Sequence, residues 1–186
     1  MDRLFNLEPA LTIAESRLRE MPMTLQEQVS ELYETLRDDV FRYLLLLGAG
    51  HEQAQELCQE TFLRLYTELR KGTRLDSPRA WVFTVARNCA TAAMTSSAAF
   101  ESIDASLEDQ LAASSPTPER SALDREKLQR LHKAVCALSH QQRHCLHLRA
   151  EGFRYREIAE IIGISTSSVG EFLRRAVSRL RKELYD

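Results

Sequence analysis

From Leu25 onward apolar residues return at every third or fourth place, and β-branched residues nowhere alternate with polar ones. That spacing gathers apolar side chains into one stripe of a helix and leaves no strand with a face to bury. The chain is therefore expected to be all-α. Leu25, Val29, Leu32, Leu36, Val40 and Leu44 mark a first helix that stops at Gly48 to Gly50. Ala54, Leu57, Cys58, Phe62, Leu65, Tyr66 and Leu69 mark a second, which ends at Gly72. Ser77 is expected as the N-cap and Pro78 as the first residue of a third, burying Trp81, Val82, Val85, Ala86 and Cys89.

Between Thr91 and Pro118 the composition turns to Ala, Ser, Thr and Pro, with Glu101, Asp104, Glu108 and Asp109 and no lysine or arginine. This reads as a flexible acidic linker. Leu123, Leu128, Leu131, Val135 and Leu138 then outline a further helix, and Ser139 caps another that ends at Gly152. The organisation expected is an extension over residues 1–24, a helical domain over 25–93, a linker over 94–118 and a second small helical domain over 119–186.

The second domain carries the sharpest local signal, Tyr155 to Arg175. Ala159 is small enough for a second helix to cross closely, and Gly163 can take the positive φ that ends a first helix. Ile158, Ile162, Ile164, Val169 and Phe172 would fill the space between. This is the pattern of a helix-turn-helix, whose second helix enters the major groove of DNA. Beyond the turn Arg174, Arg175, Arg179, Arg181 and Lys182 face only Glu171 and Glu183, a balance suited to phosphates.

Composition removes other classes. The longest apolar run, Tyr43 to Leu47, is far short of the roughly 20 residues a bilayer helix needs, and no secretory signal pattern opens the chain. A cytoplasmic protein without a membrane span is expected. A formal net charge of -2 excludes a nonspecific nucleic-acid coat, so binding must come from local patches. Cys58, Cys89, Cys136 and Cys145 show no CxxC spacing and read as buried thiols. His132, Cys136, His140 and His144 recur every fourth residue, with Cys145 and His147 beside them. One helix would stack them as metal ligands, but an N-cap at Ser139 breaks the row, so no metal and no cofactor are expected.

The segment QAQELCQETF from Gln53 to Phe62, continued by LRLY to Tyr66, and RAWVFTVARN from Arg79 to Asn88 resemble the core-binding domain of extracytoplasmic-function (ECF) sigma factors of bacterial RNA polymerase. The resemblance covers residues 25–90 and 119–184. It implies a transcription initiation factor rather than an enzyme, with core RNA polymerase and promoter DNA as partners and an anti-sigma factor as a third. It further implies that the helix over 53–69 docks on the clamp helices of the largest subunit through Gln55, Glu56, Gln59, Glu60 and Leu63. The loop Gly72 to Arg79 and the helix after it would capture an unstacked base of the downstream promoter element, through Arg79 and Asn88. Ser167, Ser168, Glu171 and Arg174 would contact the groove of the upstream element, with Arg175 and Arg179 on phosphates.

Two departures from the family's pattern bear on function. After the ARN segment the chain reads CATAAMTSSAAFESID, with no basic residue until Arg120, where the family carries an arginine cluster. Duplex engagement by the first domain should then be weak. After Val169 stand Gly170 and Glu171 where the family often has a basic residue and a serine. The rival expectations are a polymerase-independent helix-turn-helix regulator, a docking-only protein that does not melt promoters, and a metal-sensing switch at the histidines.

Overall fold

The computed structural model describes residues 23–96, 129–131 and 133–185. Six helices are labelled here: α1 Leu25–Leu46, α2 His51–Arg70, α3 Pro78–Ser96, α4 His140–Ala150, α5 Tyr155–Ile162 and α6 Thr166–Tyr185. Short helical pieces at 129–131 and 133–136 precede α4, and no strand occurs among the described residues.

Local chemistry sets the helix ends. Thr24 closes α1 with a capping box: the Glu27 N–H donates to Thr24 Oγ1 at 3.3 Å and the Thr24 N–H to Glu27 Oε2 at 2.8 Å. The cap of the first helix thus lies inside the stretch assigned to the extension. Ser77 accepts from the Ala80 N–H at 3.4 Å, as its place before Pro78 requires, and Ser139 forms a second capping box with Gln142. The third helix runs on to Ser96, so the first residues of the expected linker are helical; residues 97–118 lie outside the described residues.

α1, α2 and α3 pack as one three-helix unit, and α4, α5 and α6 as another. The stripes predicted for α1 and α2 point inward: Leu36, Val40 and Leu44 are buried, as are Ala54, Cys58, Phe62 and Leu65. On α3 the buried arc is turned by about one residue from the expectation. Val82, Ala86 and Cys89 are buried, but Trp81 and Val85 are only half-buried, and Phe83 is fully buried in their place. The cause is that α3 is covered from two sides. It packs against α1 and α2 and also against α5 of the second unit.

The two units, expected to be joined by a linker, also touch directly. One continuous buried cluster runs from Val40, Tyr43 and Phe83 into Leu148, Phe153, Ile158 and Ile161. Phe83 meets Tyr43 at 5.1 Å between ring centroids on one side and the edge of Phe153 at 4.8 Å on the other.

Candidate nucleic-acid interface

The turn between α5 and α6 has the geometry its sequence demands. Gly163 sits at φ 76° in the left-handed region, and the N–H groups of Gly163 and Ile164 both donate to the Ala159 carbonyl, at 2.9 and 3.0 Å. A left-handed residue at this place is cheap only for glycine. Ile158, Ala159, Ile162 and Val169 are buried between the crossing helices. Ser165 then starts α6: its Oγ accepts from the Ser168 N–H at 3.1 Å and lies 2.9 and 2.8 Å from the hydroxyls of Ser167 and Ser168.

The outer face of α6 carries the residues expected to meet the upstream element. Ser167, Arg174, Arg175 and Arg179 are exposed, and Ser168 and Glu171 half-buried. The Glu171 carboxylate accepts twice from Arg174, at 3.0 and 2.9 Å, and once from Arg175 at 2.6 Å. Those hydrogen bonds, Arg174's first, hold its pKa below the usual carboxylate range. Glu171 therefore serves as a clamp that presents two guanidinium groups side by side. Three hydrogen bonds from cations of its own helix fall on the carboxylate, two on Oε1 and one on Oε2.

On the first unit, α2 buries Ala54, Cys58, Thr61, Phe62 and Leu65 and turns the docking candidates outward. Gln55, Glu56, Gln59 and Leu63 are exposed, and the half-buried Glu60 accepts from Arg64 at 2.7 Å. Leu63 is 60% exposed, a large apolar side chain in the middle of a polar face. Beside it a groove of about 320 Å³ opens between α1 and α2, lined by Tyr33, Phe41, His51, Gln55 and Gln59. Residue periodicity could not reveal this groove, because it depends on how two helices diverge.

The two downstream-element candidates are not brought together. Nine residues separate Arg79 from Asn88, two and a half turns, which places them on different faces of α3. Asn88 is exposed. Arg79 is held instead at the contact between the units, with its Nη2 3.7 Å from Asp39 and 3.4 Å from Glu151, and its guanidinium 4.4 Å from the Phe153 ring centre. Next to it the Ser77 hydroxyl donates to Glu157 Oε1 of α5 at 3.3 Å. Burial, ahead of the nearby Asp39, raises the pKa of Glu151 in spite of Arg42 and Arg79.

Behind this polar edge lies a buried seam that the sequence did not disclose. The Tyr43 hydroxyl meets Nε2 of His144, and the Tyr43 ring stacks on His147 at 5.8 Å with an interplanar angle of 16°. Desolvation pushes His144 down to about 3 and His147 to about 4, with positive neighbours such as Arg87 and Arg42 adding to it. The same burial pushes the Tyr43 phenol up. His147 Nε2 and Arg143 Nη1 are buried without a hydrogen-bond partner. Of the row that one helix would stack as metal ligands, His144 is taken by Tyr43, His140 packs against His144 at 5.7 Å between ring centroids, and His132 lies outside the described residues. No group of three metal-ligating side chains occurs among the described residues. Cys58 and Cys145 are pushed up to about 11 by burial, as inert core thiols should be.

Comparison with known proteins matches this architecture at both ends. Residues 32–99 fit the model of Sigma-70 region 2, and residues 128–180 that of Sigma-70, region 4. The ECF RNA polymerase sigma factor SigL of Mycobacterium tuberculosis is 30% identical over 165 residues, covering 83% of this chain and 88% of that one. BldN, an ECF sigma factor of Streptomyces coelicolor, is 29% identical over 192 residues, covering 96% of this chain and 70% of BldN. Among solved structures, the sigma factor RpoE of Bartonella quintana in complex with the anti-sigma factor NepR shares the fold. It does so at a TM-score of 0.60 and 23% identity, over 85% of this chain and 97% of that one. Two sigma regions in this order and a relative of this likeness over nearly its whole length make the chain a member of the extracytoplasmic-function family of RNA polymerase sigma factors.

Proposed function

We propose that this sigma factor, which as a family member directs RNA polymerase to promoters for transcription initiation, divides the work between the two faces described above. The outward face of α2, Gln55, Glu56, Gln59, Glu60 and the exposed Leu63, grips the clamp helices of the polymerase's largest subunit. Ser167, Ser168 and the Glu171-clamped Arg174 meet the groove of the upstream promoter element, and Arg175 and Arg179 its phosphates. Asn88, with Arg79 once it is free, holds the displaced base of the downstream element. The observation that carries this reading is the paired arginines on α6, positioned by the glycine turn at φ 76° and the Ser165 cap.

Leu63 supports the polymerase half. An exposed leucine flanked by polar groups is the composition of an interface anchor with a polar rim. Leu63→Ala is expected to weaken binding to core polymerase about tenfold while leaving thermal stability within 0.5 kcal/mol, because little apolar area is buried there. Equal loss of stability and binding would remove the assignment. No chemistry of its own is assigned to the chain, and its place of action is the cytoplasm, where the polymerase is. An anti-sigma partner is proposed because the solved relative RpoE is held by one.

A second reading, docking without promoter melting, is favoured by one feature. The last turns of α3, Thr91 to Ser96, present no cation. Transcription on supercoiled and on pre-melted templates separates the two: activity on both supports the first reading, and activity on the pre-melted template alone supports the second.

A further inference from the structure

Glu171 holds its two arginines unequally. Arg174 donates to the carboxylate twice in parallel, from Nε to Oε2 at 3.0 Å and from Nη2 to Oε1 at 2.9 Å. Arg175 donates once, from Nε to Oε1 at 2.6 Å. A guanidinium is planar and carries five N–H groups, so the parallel bonds fix the plane of Arg174 and engage its Nε edge. Three N–H groups remain on Nη1 and Nη2, at the edge turned away from Glu171. The Arg174 side chain is 70% exposed. An ion pair this open contributes little to stability, so its consequence lies in where the free edge points. A carboxylate between two arginines also weakens their attraction for phosphates. What Glu171 adds to this face is orientation rather than charge.

On the reading of α6 as the helix that enters the groove, we propose that Glu171 is a positioning residue for specificity, which aims the free edge of Arg174 at O6 and N7 of one guanine in the upstream element. The major-groove edge of guanine presents two acceptors side by side, which match two N–H groups of one fixed plane; adenine and thymine offer one acceptor each there and cytosine none. A phosphate makes no use of a fixed plane, because its attraction for a cation tolerates many orientations. Arg175, held at one point, keeps four N–H groups on Nη1 and Nη2 and the rotation that a phosphate contact allows. One carboxylate therefore sets the spacing between a guanidinium that reads a base and a guanidinium that anchors the backbone. Glu171 itself reads no base.

The test presents the full chain, free and assembled with core polymerase, with a duplex library randomised over a short central stretch, and sequences the bound fraction. The unaltered chain should enrich guanine at one position roughly 5- to 150-fold over other bases, as one bidentate contact gives. Arg174→Ala should abolish that preference. Glu171→Ala should reduce it about three- to tenfold and yet bind a duplex lacking the enriched sequence about twofold more tightly, because an anion has left the face. Those opposite signs exclude a merely structural role, since a misfolded chain loses both. In the Arg174→Ala background, Glu171→Ala should have no further effect on the preference. Replacing the enriched guanine by 7-deazaguanine, which lacks the N7 acceptor, should weaken binding of the unaltered chain about three- to tenfold and leave that of Arg174→Ala unchanged. Circular dichroism should show Glu171→Ala folded, with Tm within about 4 °C; if it is not, Glu171→Gln, which keeps one acceptor oxygen, is read in its place by the same comparisons. An enriched sequence with no guanine that depends on Arg174 overturns the proposal, and so does a guanine preference that the change at Glu171 leaves undiminished. A preference that survives Arg174→Ala and falls with Glu171→Ala overturns it too, since Glu171 would then accept from the paired cytosine. If neither the free chain nor the assembled polymerase enriches any sequence, the reading of α6 as the groove-entering helix fails, and the proposal with it.

Discussion

Replacing Gly170 by alanine should stabilise the protein, and the same change at Gly163 should destabilise it. Gly170 lies inside α6, where glycine costs about 1 kcal/mol relative to alanine because the unfolded chain loses more freedom on ordering. A Cβ at Gly170 would stand 3.8 Å from Tyr155 Cε2, ordinary contact distance, so the methyl adds a few tenths of a kcal/mol of apolar contact and no clash. The sum is about 1 to 1.5 kcal/mol, or about 3–5 °C in Tm for a chain of this length. At Gly163 the backbone is at φ 76°, where a Cβ costs roughly 1–2 kcal/mol, and the sign reverses. Thermal unfolding followed at 222 nm measures both. The added methyl at position 170 points toward α5 rather than the outer face, so duplex binding should stay within twofold of the unaltered chain. A fall in Tm for Gly170→Ala would refute the packing described. A tenfold loss of duplex binding with Tm raised would show instead that DNA approaches the backbone at that residue.

Acid should loosen the fold through His144 and His147. Their folded pKa values, about 3 and about 4, lie below the ordinary 6.5, so their contribution is fully present above pH 6.5 and is lost as pH falls toward 3–4. Each histidine costs up to about 1.4 kcal/mol per pH unit in that window, and urea midpoints at pH 5.5 should fall clearly below those at 7.5; equal midpoints would contradict the buried neutral seam. Phe83→Ala should cost about 3–5 kcal/mol and exceed Trp81→Ala, because Phe83 is fully buried and Trp81 half-exposed; the reverse order by chemical denaturation would contradict the rotated arc of α3. Arg174→Ala should weaken duplex binding at the upstream element by about 1–3 kcal/mol while core-polymerase binding is unchanged; equal loss of both would indicate misfolding.

How far the sequence disclosed this molecule depends on the range of the interaction. The glycine turn at 163, the caps at Ser77 and Ser139 and the inward stripes of α1 and α2 follow from neighbours three or four residues apart, and periodicity sees those directly. The Tyr43–His144 contact joins residues 101 apart, and nothing in the spacing of either helix names its partner. The histidines were legible as one face of a helix, but what lay opposite was not, so a metal site and a buried seam looked alike. Trp81 and Phe83 differ by two places, and a 3.6-residue period cannot choose between them when a helix is covered from two sides. Glu171 was legible as an acceptor near the groove. That Arg174 and Arg175 would occupy it depends on rotamers that residue spacing does not determine.

The central claim, that this chain brings RNA polymerase to particular start sites, is tested most directly by run-off transcription with purified core polymerase on a library of genomic fragments from the source bacterium. The account predicts discrete transcripts that appear only when the protein is added and that diminish with Arg174→Ala. Polymerase that binds the protein and yields no discrete transcript on any fragment, fully duplex or pre-melted, would contradict it.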